Sequence, residues 1–250
     1  MRRMSCVLFL LLFISPIYAD DKVVKEILDI SVSITNQNSE VLGSGTIFFD
    51  KTTKKYVVLT CGHLFPTMRK VEELDIEDKD GIVKKIKKVV WANPKIYQSL
   101  YKNGKETQRI FYNTKMIKYS PSEEEGGIDL AVLEIMDSSF VRQSGNFIMD
   151  DNLIFPGVDV IHAGSLYGMS TAITKGYFSK LDEPYRGQPF NIAILHGRGG
   201  SSGGGVFIDI KGKNTFCGIV VRGDSAGLMM LKTPDTIRTW LKKEKIDILP

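Results

Sequence analysis

Ser202 lies in the segment Gly200-Ser201-Ser202-Gly203-Gly204-Gly205-Val206. A serine hydroxyl is a poor nucleophile. To attack a carbonyl it needs a base, an exposed tight turn, and backbone N–H groups aimed at the developing oxyanion. Glycines on both sides permit such a turn and let a substrate carbonyl approach the backbone. Gly200 and Ser202 are the candidate N–H donors, although Gly/Ser clusters also mark ordinary loops. His63 closes Thr60-Cys61-Gly62-His63 at the end of an apolar run. An imidazole there can take a serine proton; alone, it reads as a turn histidine. Asp129 stands in Gly127-Ile128-Asp129-Leu130-Ala131-Val132. A carboxylate at the start of an apolar strand is costly unless paired. An imidazole N–H is such a partner, and the carboxylate would fix its tautomer. Taken singly, Asp129 reads as a turn-capping residue.

The three together are more specific than any one of them, and their order is His63, Asp129, Ser202. The nucleophile segment also fits the Gly-x-Ser-x-Gly turn of α/β-hydrolases, but that arrangement needs a histidine after the serine. No histidine follows Ser202. An Asp-before-His order has Asp50 as its nearest candidate, in a charged turn with no α/β pattern around it. The order that remains is the chymotrypsin type.

On these motifs the chain resembles the trypsin-like serine peptidases of the chymotrypsin superfamily, nearest the bacterial HtrA/Deg proteases and glutamyl endopeptidases. Gly43-Ser44-Gly45-Thr46 resembles their Gly-Ser-Gly strand, and Thr60 to His63 their histidine motif, with Cys61 and Gly62 replacing commoner small residues. Asp129-Leu130-Ala131-Val132-Leu133 resembles their Asp-Leu-Ala-Val strand, and Gly200 to Gly204 their Gly-x-Ser-Gly-Gly turn. The resemblance spans roughly residues 40–240. It implies a serine endopeptidase acting through an acyl-enzyme, with His63 as base, Asp129 as orienter, Ser202 as nucleophile, and Gly200 and Ser202 N–H groups as the oxyanion hole. It implies a protein or peptide substrate and no metal or organic cofactor.

The same resemblance places the first substrate pocket between Leu195–Gly199 and Val220–Gly223, with His196 near its base. His196, helped by Arg222, would favour an acidic substrate residue. With His196 as a packing residue, a pocket walled by Val221, Arg222 and Gly223 would take small apolar side chains. Ser201 stands where trypsin-like zymogens carry an Asp that pairs with a newly cut N-terminus, so no activation cut is expected after leader removal. HtrA proteins carry PDZ domains after the protease; little follows the terminal helix here, so tail sensing of that kind is expected to be absent. Two readings compete. One is a catalytically inactive two-barrel binding protein of the same fold, although inactive relatives usually lose a triad member and this chain keeps all three. The other is an acyl hydrolase acting on esters with the same site.

The elements that must position these residues are short strands. β-Branched and aromatic runs bounded by turn residues predict strands at Val41–Phe49, Tyr56–Thr60, Ile82–Trp91, Arg109–Lys118 and Ile128–Ile135. A helical turn is predicted over Leu64–Lys70 and a charged, irregular stretch after it. Further strands follow at Val158–Ala163, Ala172–Leu181 and Phe190–Leu195, then a hairpin of Val206–Ile210 and Phe216–Val221, and Met229–Leu231. Thr233 caps a terminal helix with Pro234 at its first position. Such a pattern is all-β, not βαβ. With the resemblance, the expected fold is two packed six-stranded antiparallel Greek-key β-barrels with a C-terminal α-helix. The expected divisions are a signal peptide at 1–19, a first barrel at 20–137, a connection at 138–156, and a second barrel with its helix at 157–250.

Composition narrows the partners. Hydrophobic residues at 43% and charged residues at 25% suit a packed core and argue against disorder. The net charge is +4, and Arg2 and Arg3 of the leader supply two of those charges. The remaining bias is too weak to argue for nucleic acid or an anionic membrane. Arg2, Arg3, the apolar run Val7–Ile14 and the small Ala19 read as a secretory leader. The run is shorter than the ~20 residues needed to span a bilayer, so an exported protein, periplasmic or secreted, is expected, with no stable membrane insertion after the leader is removed. Cys61 and Cys217 both sit in apolar runs and read as buried thiols. No His/Cys/Asp spacing resembles a metal site.

Overall fold

The computed structural model describes residues 21–250 except 78, 80–82 and 225. The leader expected at 1–19 lies outside the described residues. Among those described, fourteen strands dominate. No helix among them is long and apolar enough to cross a membrane.

The first six-stranded barrel is built from β1 (Ser31–Thr35), β2 (Val41–Asp50), β3 (Lys55–Thr60), β6 (Lys95–Lys102), β7 (Lys105–Ser120) and β8 (Leu130–Ile135). Around the barrel the order is β1-β2-β3-β8-β7-β6, closed by antiparallel pairing of β6 with β1. The second barrel comprises β9 (Asp159–Gly164), β10 (Ala172–Tyr185), β11 (Gln188–Leu195), β12 (Gly205–Ile210), β13 (Lys213–Gly223) and β14 (Leu228–Lys232). Its order is β10-β11-β14-β13-β12-β9, again closed. The expected pair of antiparallel barrels with a late helix is therefore the observed architecture.

β4 (Arg69–Glu77) and β5 (Val83–Trp91) pair only with each other, in a ribbon inserted between β3 and β6. The single helical turn expected over 64–70 is two short 3-10 turns, Gly62–Leu64 and Pro66–Met68, which lead from the histidine into that ribbon.

Burial explains the local choices. In β3, Val57 to Thr60 are all buried, and in β8 only Glu134 escapes full burial. These central strands carry the His63 and Asp129 motifs to one end of the barrel. Helix α1 (Asp21–Ile30) buries Val23, Ile27 and Ile30, spaced at about one helical turn, along one face. Helix α2 (Pro234–Glu244) begins where the Thr233 hydroxyl accepts the Thr236 N–H at 3.2 Å, and it buries Ile237, Trp240 and Leu241. Between the barrels sits an aromatic knot. Phe216 of β13 packs edge-to-face with Phe48 of β2 and tilted against Phe147 of the connecting segment, each at 5.1 Å between ring centres. Cys61 and Cys217 are separate buried thiols.

Candidate active site

The His63–Asp129 contact is double. Asp129 Oδ2 lies 2.8 Å from His63 Nδ1, while Oδ1 accepts the His63 backbone N–H at 2.7 Å. Asp129 is fully buried, whereas His63 keeps 31% of its side chain exposed. An ionised carboxylate can only accept, so Nδ1 carries the proton and Nε2 is the free basic nitrogen. The backbone at Asp129 has φ +60, a left-handed conformation that aspartate tolerates better than most residues. The Asp129 N–H is held by the Pro121 carbonyl at 2.7 Å.

The Ser202 turn is pinned from both barrels. Ser44 of β2 donates its N–H to the Ser202 carbonyl at 2.8 Å and its hydroxyl to the Gly200 carbonyl at 2.7 Å. The same hydroxyl accepts from the Ser165 N–H at 2.8 Å. Tyr167 N–H binds the Gly199 carbonyl at 2.7 Å, and Gly203 N–H binds the Val220 carbonyl at 2.8 Å. Ser201 turns away from solvent; its hydroxyl accepts from the Arg198 N–H at 3.0 Å. Among the described residues, the N–H groups of Gly200 and Ser202 donate to no backbone carbonyl. Gly203 lies against the histidine motif so closely that a Cβ there would meet Thr60 Oγ1 at 2.1 Å. Only glycine fits that position, where φ is +83. The fold thus sets the Ser202 turn against the histidine motif through Gly203, while the side-chain contact it forms among the three candidates is that of His63 with Asp129.

Cys61 Sγ, His63 and Asp129 offer ligand atoms within 4.8 Å of one another. The Cys61 thiol instead points at the Val220 carbonyl, 3.2 Å away. Burial, then the Asp129 charge, pushes this thiol well up and away from the thiolate a metal would need. Both Asp129 oxygens are already engaged with His63.

A cavity of about 590 Å³ borders Ser202. Its walls are Gly197–Gly199 on one side and Val220, Arg222, Gly223 and Asp224 on the other. Met229 forms part of its lining, and a Cβ built at Gly197 or Gly223 would meet the Met229 sulfur at 2.6 or 2.2 Å. The thioether therefore fills the space between the two glycine walls. His196 is exposed and does not line this cavity. It follows directly after the end of β11, whose last residue Leu195 is buried in the core. Val221 is buried in the barrel and is also absent from the lining. Arg222 reaches the cavity, but its guanidinium pairs with Glu123 at 3.2 Å and Glu124 at 3.3 Å. Arg198 is committed to the Tyr167 hydroxyl at 2.8 Å and to the Gly197 carbonyl at 2.9 Å. A larger groove of about 780 Å³ runs along β9, β10 and β12 and touches no triad candidate. The smaller cavity is the one that borders Ser202.

His162 lies fully buried beneath the Ser202 turn, its ring against Gly164 and Gly204. Nδ1 is 3.1 Å from the Gly205 carbonyl, and Nε2 has no hydrogen-bond partner among the described residues. Burial depresses its pKa from 6.5 to about 4. Between those values the unfolded chain binds the proton and the folded one does not. The stabilising effect of the neutral ring is complete above about pH 6.5 and is lost as pH falls through about 4, by about 3 kcal/mol. Urea unfolding between pH 7 and pH 4 should show this loss, and His162→Gln should flatten it; parallel curves would remove His162 from the acid response.

No protein-family model matches the chain, and no curated protein matches it by sequence. Solved structures do. The inactive form of Rv3671c from M. tuberculosis H37Rv, carrying a serine-to-alanine substitution, superposes with a TM-score of 0.61 at 16% identity, covering 92% of this chain and 93% of that one. The active form of the Rv3671c protease gives 0.59 at 18% identity, over 94% and 89%. A serine endoprotease from Yersinia pestis gives 0.59 at 17%, over 89% and 65%. The fold is the chymotrypsin-like pair of β-barrels. Met229 at the cavity and the Glu123–Lys232 pair are brought beside the candidate segments by the fold alone.

Proposed function

We propose that this chain is a trypsin-like serine endopeptidase, exported to a periplasm or beyond the cell. The observation that carries the proposal is the buried Asp129 gripping His63 at both ring and backbone, beside a serine turn whose Gly200 and Ser202 N–H groups have no backbone acceptor. In the reaction, His63 Nε2 takes the Ser202 hydroxyl proton as Oγ attacks the scissile carbonyl. Gly200 and Ser202 N–H groups hold the oxyanion, and Asp129 stabilises the imidazolium. His63 then delivers its proton to the leaving amine, and water repeats the cycle on the acyl-enzyme. The two neighbouring forms of Rv3671c and the Yersinia protein are named proteases, which supports the same chemistry here.

Because Met229 occupies the depth of the pocket and the nearby guanidiniums are engaged, the pocket suits small side chains before the scissile bond better than acidic ones. The test is a fluorophosphonate probe on the protein lacking residues 1–19, with peptide mapping of the adduct and then a peptide-library profile. Labelling at Ser202 followed by cuts after small residues is expected. A folded protein that does not label would favour a binding protein of this fold, and cuts confined to Glu or Asp would overturn the pocket assignment.

A further inference from the structure

Lys232 ends β14 with its side chain fully buried, and so is the Glu123 side chain in the turn that leads to Asp129. The ammonium lies 2.5 Å from Glu123 Oε1 and donates to Gln188 Oε1 at 2.7 Å, with the Phe190 ring 4.2 Å below it. Gln188 Nε2 in turn donates to the carbonyl of Gly127, two residues before Asp129, at 2.7 Å. The second Glu123 oxygen accepts from Arg222 at 3.2 Å. One ionic cluster therefore joins the Asp129 turn of the first barrel to β11, β14 and the pocket-wall end of β13 in the second. Stability is a weak reason for such a cluster, because burying two ions costs about as much as their attraction returns. Its position suggests a better one. The charges of Glu123, Asp129 and Cys61 all act on Lys232, and through Gln188 the ammonium is two hydrogen bonds from the Gly127 carbonyl, two residues before the carboxylate that His63 depends on.

We infer that Lys232 and Glu123 are positioning residues, which fix the Asp129 turn against the second barrel and balance the electric field behind the His63–Asp129 pair. Lys232 alone would draw on the Asp129 charge and disfavour the imidazolium that forms in the reaction. Glu123 cancels that effect, and Arg222 shares the same carboxylate, so the wall of the substrate pocket is tied to the same cluster. For catalysis this rests on the serine-peptidase reading; the field itself does not.

The test follows the His63 imidazole by NMR titration in three variants of the protein lacking residues 1–19, alongside kcat/KM and kcat at each pH. Glu123→Gln leaves the cation uncompensated, so the His63 midpoint should fall by about half a pH unit or more. Lys232→Met removes the nearer of the two cations on Glu123 and should raise it, by less, because Arg222 still shares that carboxylate. The double variant should return towards wild type. Glu123→Gln should also lower kcat more than it changes KM, about tenfold or more, since the imidazolium forms in the transition state. If Lys232→Met fails to fold, the double variant still has to lift the midpoint above that of Glu123→Gln. Midpoints that stay fixed, or that move the same way in both single variants, would overturn the inference. A wild type that titrates as expected but does not label at Ser202 would instead count against the peptidase reading.

Discussion

Asp129→Asn should leave the fold intact and lower kcat/KM about 10⁴-fold. The substitution is unusually clean at this position. The backbone there has φ +60, a region asparagine enters as readily as aspartate. The Asn Oδ1 can keep accepting the His63 backbone N–H, the 2.7 Å bond that anchors the histidine turn. Only the atom facing Nδ1 changes, from an acceptor to an NH₂ donor. Nδ1 must then accept, the ring proton moves to Nε2, and no basic nitrogen faces Ser202. Steady-state kinetics beside urea unfolding will separate the two effects. A fall below tenfold with unchanged stability would mean that His63 does not work through Asp129. A large loss of stability would mean that the carboxylate serves the buried cluster with Lys232 more than it serves the imidazole.

The sequence made the triad candidates legible because each sits among small or apolar residues that leave it few other roles. Ser202 is wrapped in glycines, and Asp129 is the one charge between Gly126 and Leu133, just before the apolar start of β8. The strands bearing them are central and buried, so their apolar runs are dense. β6 was not legible for the opposite reason. Lys95-Ile96-Tyr97-Gln98-Ser99-Leu100-Tyr101-Lys102 buries Gln98 and Ser99, and those polar groups are satisfied by partners outside the strand, the Asp29 carbonyl, the Tyr112 hydroxyl and the Glu106 carboxylate. The first strand of the ribbon was hidden by charge. β4 is exposed on both faces, and its register sets Glu72 opposite Lys88, Glu73 opposite Lys87 and Asp75 opposite Lys85. Cross-strand pairing of this kind supports a strand without any hydrophobic alternation to reveal it. The pocket was only half legible. Its walls follow from where the chain must run beside Ser202, but its depth is set by Met229, a residue of β14 whose approach to Gly197 and Gly223 no local pattern encodes. Lys232 is the sharpest case. A lysine closing Leu228-Met229-Met230-Leu231-Lys232 reads as a solvated strand end, and only the fold brings Glu123 to it.

Gly200→Ala should lose about 10²–10³-fold in kcat, together with a drop in stability of about 1–3 kcal/mol. Gly200 has φ +93, and an added Cβ would stand 2.0 Å from the Ser165 carbonyl oxygen. Neither side can give way easily. Ser165 N–H is bound by Ser44 Oγ, the same hydroxyl that holds the Gly200 carbonyl, and the Gly199 carbonyl is held by Tyr167. Relief therefore requires the Gly199–Gly200 peptide to rotate against its Tyr167 bond, and that rotation carries the Gly200 N–H away from the substrate oxygen. The two effects separate by method. Thermal unfolding reads the strain, while single-turnover acylation reads the missing donor, and KM should move little because the ground-state carbonyl depends less on the hole than the oxyanion does. An alanine variant that acylates normally would show that Gly200 supplies only shape. The Ser202 N–H would then have to hold the oxyanion with another donor.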